Sequence, residues 1–284
     1  MANQGISKSA SKLVPKDPSS SMIIRDIVPN QITTLCAPFH RFGYIKIGSR
    51  ATVIKLQTGN LAVFSPVSLT PEAKTKISQL STSNPPGKVQ YLIAPDMEHH
   101  IFITPWAHAY NPAVIIGPEG LPEKRESDPS TKGTTFHTVF SPSNKHHTKI
   151  TPEFDAEFSY EYVHAHANKE LVFFHKPTRT LIQADLIFNL PATEQFSKTS
   201  EDPTSGILTR LFSAMMNTRG DMLWQKRLLW YATGAKDRAA FAESAKRMAA
   251  WGEFERMIPC HGDVVERGGS RILNQATAWF RDAY

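Results

Sequence analysis

A chain of 284 residues, 40% hydrophobic and 20% charged, has the balance of a globular protein that buries a core, in one large domain or two small ones. The net charge of +6 is spread along the chain with no basic stripe, and there is no long apolar run. Neither nucleic acid nor membrane is therefore expected as a partner. No apolar segment follows Met1, so no secretory signal is expected. The only cysteines, Cys36 and Cys260, build no disulfide framework and point to a reducing compartment, the cytoplasm.

Residues 1–20 are rich in Ser, Lys and Pro without apolar periodicity and read as a disordered tail ahead of a folded body over 21–284. Short strands are predicted at Ile32–Cys36, Phe42–Gly48, Ala51–Leu56 and Leu61–Phe64, the last two flanking the turn Gln57-Thr-Gly-Asn60. Pro71–Leu80 reads as a helix with Thr70 as N-cap. A buried strand follows at Val89–Ala94 and stops at Pro95. His99 and His100 then open a segment with helical spacing. Ala113–Ile116 reads as a strand, and residues 118–150 carry turn formers without a clear long element. Further strands are predicted at Phe158–Val163, Glu170–His175 and Thr180–Phe188, and a last short one at Arg256–Pro259. Helices are predicted at Ile207–Asn217, Met222–Ala232, Arg238–Trp251 and Arg271–Asp282.

Four stretches carry chemistry. Asp96-Met-Glu-His-His100 lies in the loop after a strand, where α/β proteins place reactive side chains. His164 and His166 fall on one side of an extended chain just before another strand. Asp185 interrupts the apolar run Leu181–Phe188, and a carboxylate there needs a cation or several donors. His261 follows a short apolar run, with Gly262 giving the backbone room to turn. Taken singly, each has a plainer reading as a solvated loop or a paired core group. Cys260, beside His261, reads as a buried spectator thiol. His146 and His147 read as solvated, and His175 as the start of a turn.

Together, the order double His, His, Asp, His-Gly resembles the metallo-β-lactamase-like superfamily over roughly residues 30–284. Gln183-Ala-Asp185-Leu-Ile-Phe stands for that family's Thr-Gly-Asp-Leu-Leu-Phe, and Ile258-Pro-Cys-His261-Gly for its Pro-Gly-His-Gly. The Ala94-Pro-Asp segment with its double histidine, and the helical region after Asp185, are similar to one uncharacterised branch, the DUF4336 family. The resemblance implies a four-layer αββα sandwich, two mixed sheets face to face with helices outside. It also implies a metal site. His100, Asp185 and His261 form the core of the expected ligand set; His99 and His166 complete it, and His164 is an alternative. The family's first cluster is His-x-His-x-Asp-His. Here Pro95 and Met97 stand at the first two histidines and neither is a useful ligand, so one ion is expected rather than two. Zn²⁺ suits nitrogen and oxygen ligands, with Fe²⁺ or Mn²⁺ as alternatives.

The expected activity is metal-dependent hydrolysis of an ester, thioester, lactone or amide, with Asp96 or Glu98 as general base if pointed inward. A lyase, an iron redox enzyme, or a binding protein with a degenerate site are the alternatives, because fold does not fix chemistry. The expected partner is a small molecule. It would be hydrophobic if Phe212, Met215, Met216, Met222, Trp224, Trp230 and Tyr231 face the site.

Overall fold

The computed structural model describes residues 17–83 and 87–284. The tail expected over residues 1–20 lies, up to residue 16, outside the described residues. Pro18–Ser21 form a turn of helix, α1, capped by the Asp17 side chain on the Ser20 N–H.

The first half begins with β1 (Ile23–Val28), β2 (Ile32–Ala37), a separate two-residue pair β3 (His40–Arg41) and β4 (Ile45–Lys46), then β5 (Ser49–Lys55) and β6 (Leu61–Phe64). Helix α2 (Pro71–Leu80) starts as predicted: Thr70 accepts a hydrogen bond from the Ala73 N–H, and Pro71 takes the first position, where no amide is needed. Strand β7 (Val89–Ile93), helix α3 (Ile103–Ala109), strand β8 (Val114–Pro118), helix α4 (Leu121–Glu126) and strand β9 (Thr138–Phe140) complete this half. The sheet order is β1-β2-β5-β6-β7-β8-β9, antiparallel as far as β6 and parallel beyond it.

The second half contains α5 (Pro152–Glu157), β10 (Phe158–Val163), β11 (Glu170–His175) and β12 (Thr180–Ile182), followed by helices α6 (Ile207–Met215), α7 (Leu223–Leu228) and α8 (Arg238–Ala249). Strand β13 (Arg256–Ile258) and helices α9 (Gly269–Ala276) and α10 (Ala278–Ala283) end the chain. Its sheet order is β10-β11-β12-β13, with β13 parallel to β12.

Strand alternation builds the layers. Leu171 and Phe173 point between the sheets, where they pack with Phe64, Tyr91, Ile93 and Ile116 of the first sheet; the Phe64 and Phe173 rings lie 5.0 Å apart. Val172 and Phe174 point outward, against Phe241, Met248, Ile272 and Phe280 of α8–α10. Val53, Val63 and Leu92 cover the other outer face with Ala73 and Ile77 of α2 and Trp106 of α3. The expected four-layer αββα sandwich is therefore the architecture observed.

Several local expectations change. Phe42–Gly48 is not a continuous strand: Phe42 and Gly43 take left-handed φ and turn β3 into β4. Strand β1, unmarked in the sequence reading, adds an edge beside β2. The region 118–150 holds α4 and β9. The run read as a strand to Phe188 ends at Ile182, because the Gln183 side chain hydrogen-bonds both the N–H and the C=O of Ile187 and closes a loop. Helix α7 runs on into a wider π turn, Leu229–Thr233. The last helix divides at Thr277, whose hydroxyl donates back to the Leu273 carbonyl.

Candidate metal centre

The loops following β7, β12 and β13 bring His99, Asp185 and His261 together. Their nearest ligand atoms all lie within 4.8 Å of one another. The two Nε2 atoms are 3.1 Å apart; Asp185 Oδ1 is 3.2 Å from that of His261 and 4.0 Å from that of His99.

Each of the three is held by a group behind it. Asp96, fully buried, spends its carboxylate on the His99 ring: Nδ1 lies 2.9 Å from both oxygens, and Oδ1 also accepts from the backbone N–H groups of Glu98 and His99. His261 Nδ1 lies 2.7 Å from the Gly48 carbonyl. A carbonyl oxygen only accepts, so that nitrogen carries the proton and Nε2 presents its lone pair. The Asn168 amide donates to Asp185 Oδ2 at 2.6 Å, which leaves the buried Oδ1 with no hydrogen-bond donor. The Asp185 loop itself hangs from Glu170, whose two oxygens accept the Ala184 and Asp185 N–H groups. Phe188 stacks on one face of His261 at 5.4 Å, and Phe39 lies beyond the ring at 6.1 Å. Gly262 is required after it: its φ is +83°, and a Cβ would run into the Asn189 carbonyl.

Electrostatics favour positive charge at this point. Burial pushes the His99 imidazole down, but the Asp96 and Asp185 carboxylates outweigh it and raise its pKa to about 10. Burial raises the Asp185 carboxyl, yet the imidazoles of His99 and His261 pull it below the ordinary carboxylate range. Two imidazole nitrogens and one carboxylate oxygen without a donor therefore surround a space that attracts a proton or a metal ion. Two nitrogens bound to one tetrahedral zinc lie about 3.3 Å apart, close to the spacing found. The residues fit a transition-metal ion.

The other expected residues lie elsewhere. His100 turns away from this space: Arg125 Nη1 lies 3.0 Å from its Nδ1 and donates to its carbonyl at 2.6 Å. Burial, with Lys124 and Arg125 nearby, lowers its pKa to about 3. His166 is buried beside Phe241, outside the three-residue cluster; its Nδ1 accepts from the Asn168 N–H, and its Nε2 has no hydrogen-bond partner. His164 and His166 sit on the turn after β10, so they do not share a strand face. Asp96 is committed to His99, which differs from the general-base role expected for it. Glu98 is half exposed between Lys124 and Arg41. Pro95 and Met97 anchor the loop through their backbones, to the Leu171 N–H and the Asn168 carbonyl.

The cluster forms the floor of a cleft of about 830 Å³ including its open mouth. Its walls include Phe39, Val67, Ile101 and Phe102, with Arg41 and Glu98 at the side. None of the aromatic and methionine residues of α6, α7 and the π turn lines it. Sequence reasoning missed Asn168, Glu170 and the Gly48 carbonyl. Glu170 had a signal, a carboxylate opening the apolar strand Glu170-Leu-Val-Phe-Phe; the backbone carbonyl had none.

A family described as a domain of unknown function, DUF4336, matches residues 30–222, more than half of the chain. No curated protein matches it. Among solved structures, the chain is similar to the DIM-1 metallo-β-lactamase exposed to ceftazidime, with a TM-score of 0.53 at 12% identity, covering 95% of this chain and 99% of that one. A metallo-β-lactamase from Pontibacter korlensis gives 0.55 at 10% identity, over 92% and 99%. A flavo di-iron protein variant from Thermotoga maritima gives 0.56 at 14% identity, over 91% of this chain but only 62% of that one. At these identities the likeness establishes the metallo-β-lactamase fold.

Proposed function

The chain belongs to the DUF4336 family, and we propose that it is a metal-dependent hydrolase of an ester, thioester, lactone or amide, working with one Zn²⁺, or alternatively Fe²⁺ or Mn²⁺. One observation carries the reading: His99 Nε2, His261 Nε2 and the donor-free Asp185 Oδ1 converge at the floor of an apolar-walled cleft.

When bound, the ion supplies Lewis acidity and lowers the pKa of its water toward neutrality. The chain's own residues do the rest. Asp96 and the Gly48 carbonyl keep the ring protons on Nδ1, so both Nε2 lone pairs point at the same space. Asn168 holds Asp185 by one oxygen and leaves the other free to ligate. Phe39, Val67, Ile101 and Phe102 exclude bulk water and suit an apolar acyl or leaving group. Glu98, at the cleft wall and half exposed, is the carboxylate placed to take up a proton near the mouth.

The di-iron relative raises an iron redox reading. The ligand set weighs against a two-metal version, since Pro95 and Met97 offer no donors and His100 is held by Arg125. The test loads the protein with Zn²⁺, Mn²⁺ or anaerobic Fe²⁺ and assays esters, thioesters, lactones and amides with apolar acyl groups. Hydrolysis that a chelator and Asp185→Asn both abolish is the expected result. Hydrolysis indifferent to both contradicts the proposal, and redox turnover by the Fe²⁺ form alone replaces it.

A further inference from the structure

Beside the cleft mouth lies a surface that the proposed chemistry does not use. Phe42 and Tyr44, each 73% exposed, flank the tip of the β3–β4 turn, and Ile207, 77% exposed, opens α6. Leu208 and Leu211 are more than half exposed on the same helix. The two elements are joined, since the Thr209 hydroxyl accepts from the Lys46 N–H and donates to the Tyr44 carbonyl. Thr209 and Ser213 are the buried residues of this helix, which leaves positions 207, 208 and 211 on its exposed side.

Cations accompany this surface. Arg41 lies over the Phe42 ring at 5.0 Å and also faces the Glu98 carboxylate, 3.7 Å away. Arg210, on the exposed helix, has no acidic partner among the described residues. The nearby Glu201 lies 2.9 Å from His40 Nε2 and 3.7 Å from Lys46 Nζ.

We propose that this surface rests on an anionic phospholipid bilayer, with the aromatic hairpin tip and the leucine face of α6 entering the headgroup region. Aromatic and aliphatic side chains flanked by arginine suit that interface. The exposed area, on the order of 600 Å² for five such side chains, falls short of the roughly 800 Å² per partner that a stable dimer needs. It is also at the upper end for a monomer's largest apolar patch. No helix among the described residues is long and apolar enough to cross a membrane. The docking is peripheral, and it departs from the sequence expectation of no membrane partner, which rested on the missing span. Arg41 also lines the cleft, so the mouth opens beside the bilayer. Entry of a lipid-borne substrate follows only if the site is the hydrolase proposed above; the docking stands without it.

The test is co-sedimentation of the full chain with vesicles of phosphatidylcholine containing phosphatidylserine, and with phosphatidylcholine alone. Binding to the anionic vesicles that weakens with salt is expected. Leu208→Ser with Leu211→Ser, checked for folding by circular dichroism, lowers it about tenfold or more. Arg210→Glu, an exposed change, lowers only the anionic binding. Absence of binding at low salt overturns the proposal, as does binding equal in the serine variant. A concentration-dependent dimer that this variant dissolves, without vesicle binding, assigns the surface to a second copy instead.

Discussion

Two buried polar clusters lie on either side of the loop that carries His261, and they are built to opposite rules. Around Arg50 every nitrogen has a partner: Nη1 donates to the Pro259 and Gly262 carbonyls, Nη2 to Glu194 and Nε to Cys36. Donors meet acceptors, and burial is compensated. Around Asp185, two imidazole Nε2 atoms 3.1 Å apart and one carboxylate oxygen without a hydrogen-bond donor converge on a space that takes a proton or a metal ion. The first cluster needs nothing from outside and fixes the 259–262 backbone. The second is complete only with a cation. A satisfied buried network supports the fold, whereas a buried set of convergent ligand atoms is the arrangement that the proposed metal ion would need.

Breaking the satisfied cluster has the largest effect on stability. Arg50→Met strands two carbonyls and leaves Glu194 with Arg25 alone, and chemical denaturation should show a loss of about 3–5 kcal/mol. Asp96→Asn acts on the other cluster. It leaves the fold in place and weakens metal affinity about 10–100-fold by calorimetry, because the amide no longer fixes the His99 ring proton.

A third cluster extends the contrast. His175 is buried at the end of β11 against Thr178 and Glu157. Burial lowers its pKa from 6.5 to about 4. The unfolded chain therefore takes up this proton first, so the contribution is full above about pH 6.5 and is lost as pH falls toward 4. Denaturation at a series of pH values should show His175→Gln flattening that decline, by on the order of 1–3 kcal/mol, with no change in metal binding at neutral pH. The smallest effect on the site is expected from His100→Gln: affinity within about threefold of wild type, since the His100 ring faces Arg125. A loss as large as that of Asp96→Asn would move His100 into the ligand set.

That last pair shows what was legible in the sequence. The sandwich could be read because strand alternation and buried apolar runs are local signals: Phe158–Val163 and Glu170–His175 occur as predicted. Asp185 and His261, which the structure brings together with His99, could be singled out as candidates because a carboxylate in an apolar run and a His-Gly after one are conspicuous. The choice between His99 and His100 could not. Adjacent side chains point about 100° apart in a helical turn, and the decision is made by Arg125, twenty-five residues on, and by Asp96 behind His99. The aromatic wall was also misplaced. Apolar residues after 206 have helical spacing wherever they face, and the cleft instead takes Phe39, Ile101 and Phe102 from loops.

Metal content tests the central claim most directly. Wild-type protein and Asp185→Asn are loaded in turn with Zn²⁺, Mn²⁺ and anaerobic Fe²⁺, desalted, and measured by elemental mass spectrometry. Convergence of His99, Asp185 and His261 on one space predicts about one ion per wild-type chain and none in the variant. Two ions per chain, an ion retained by the variant, or none under any loading condition would contradict it.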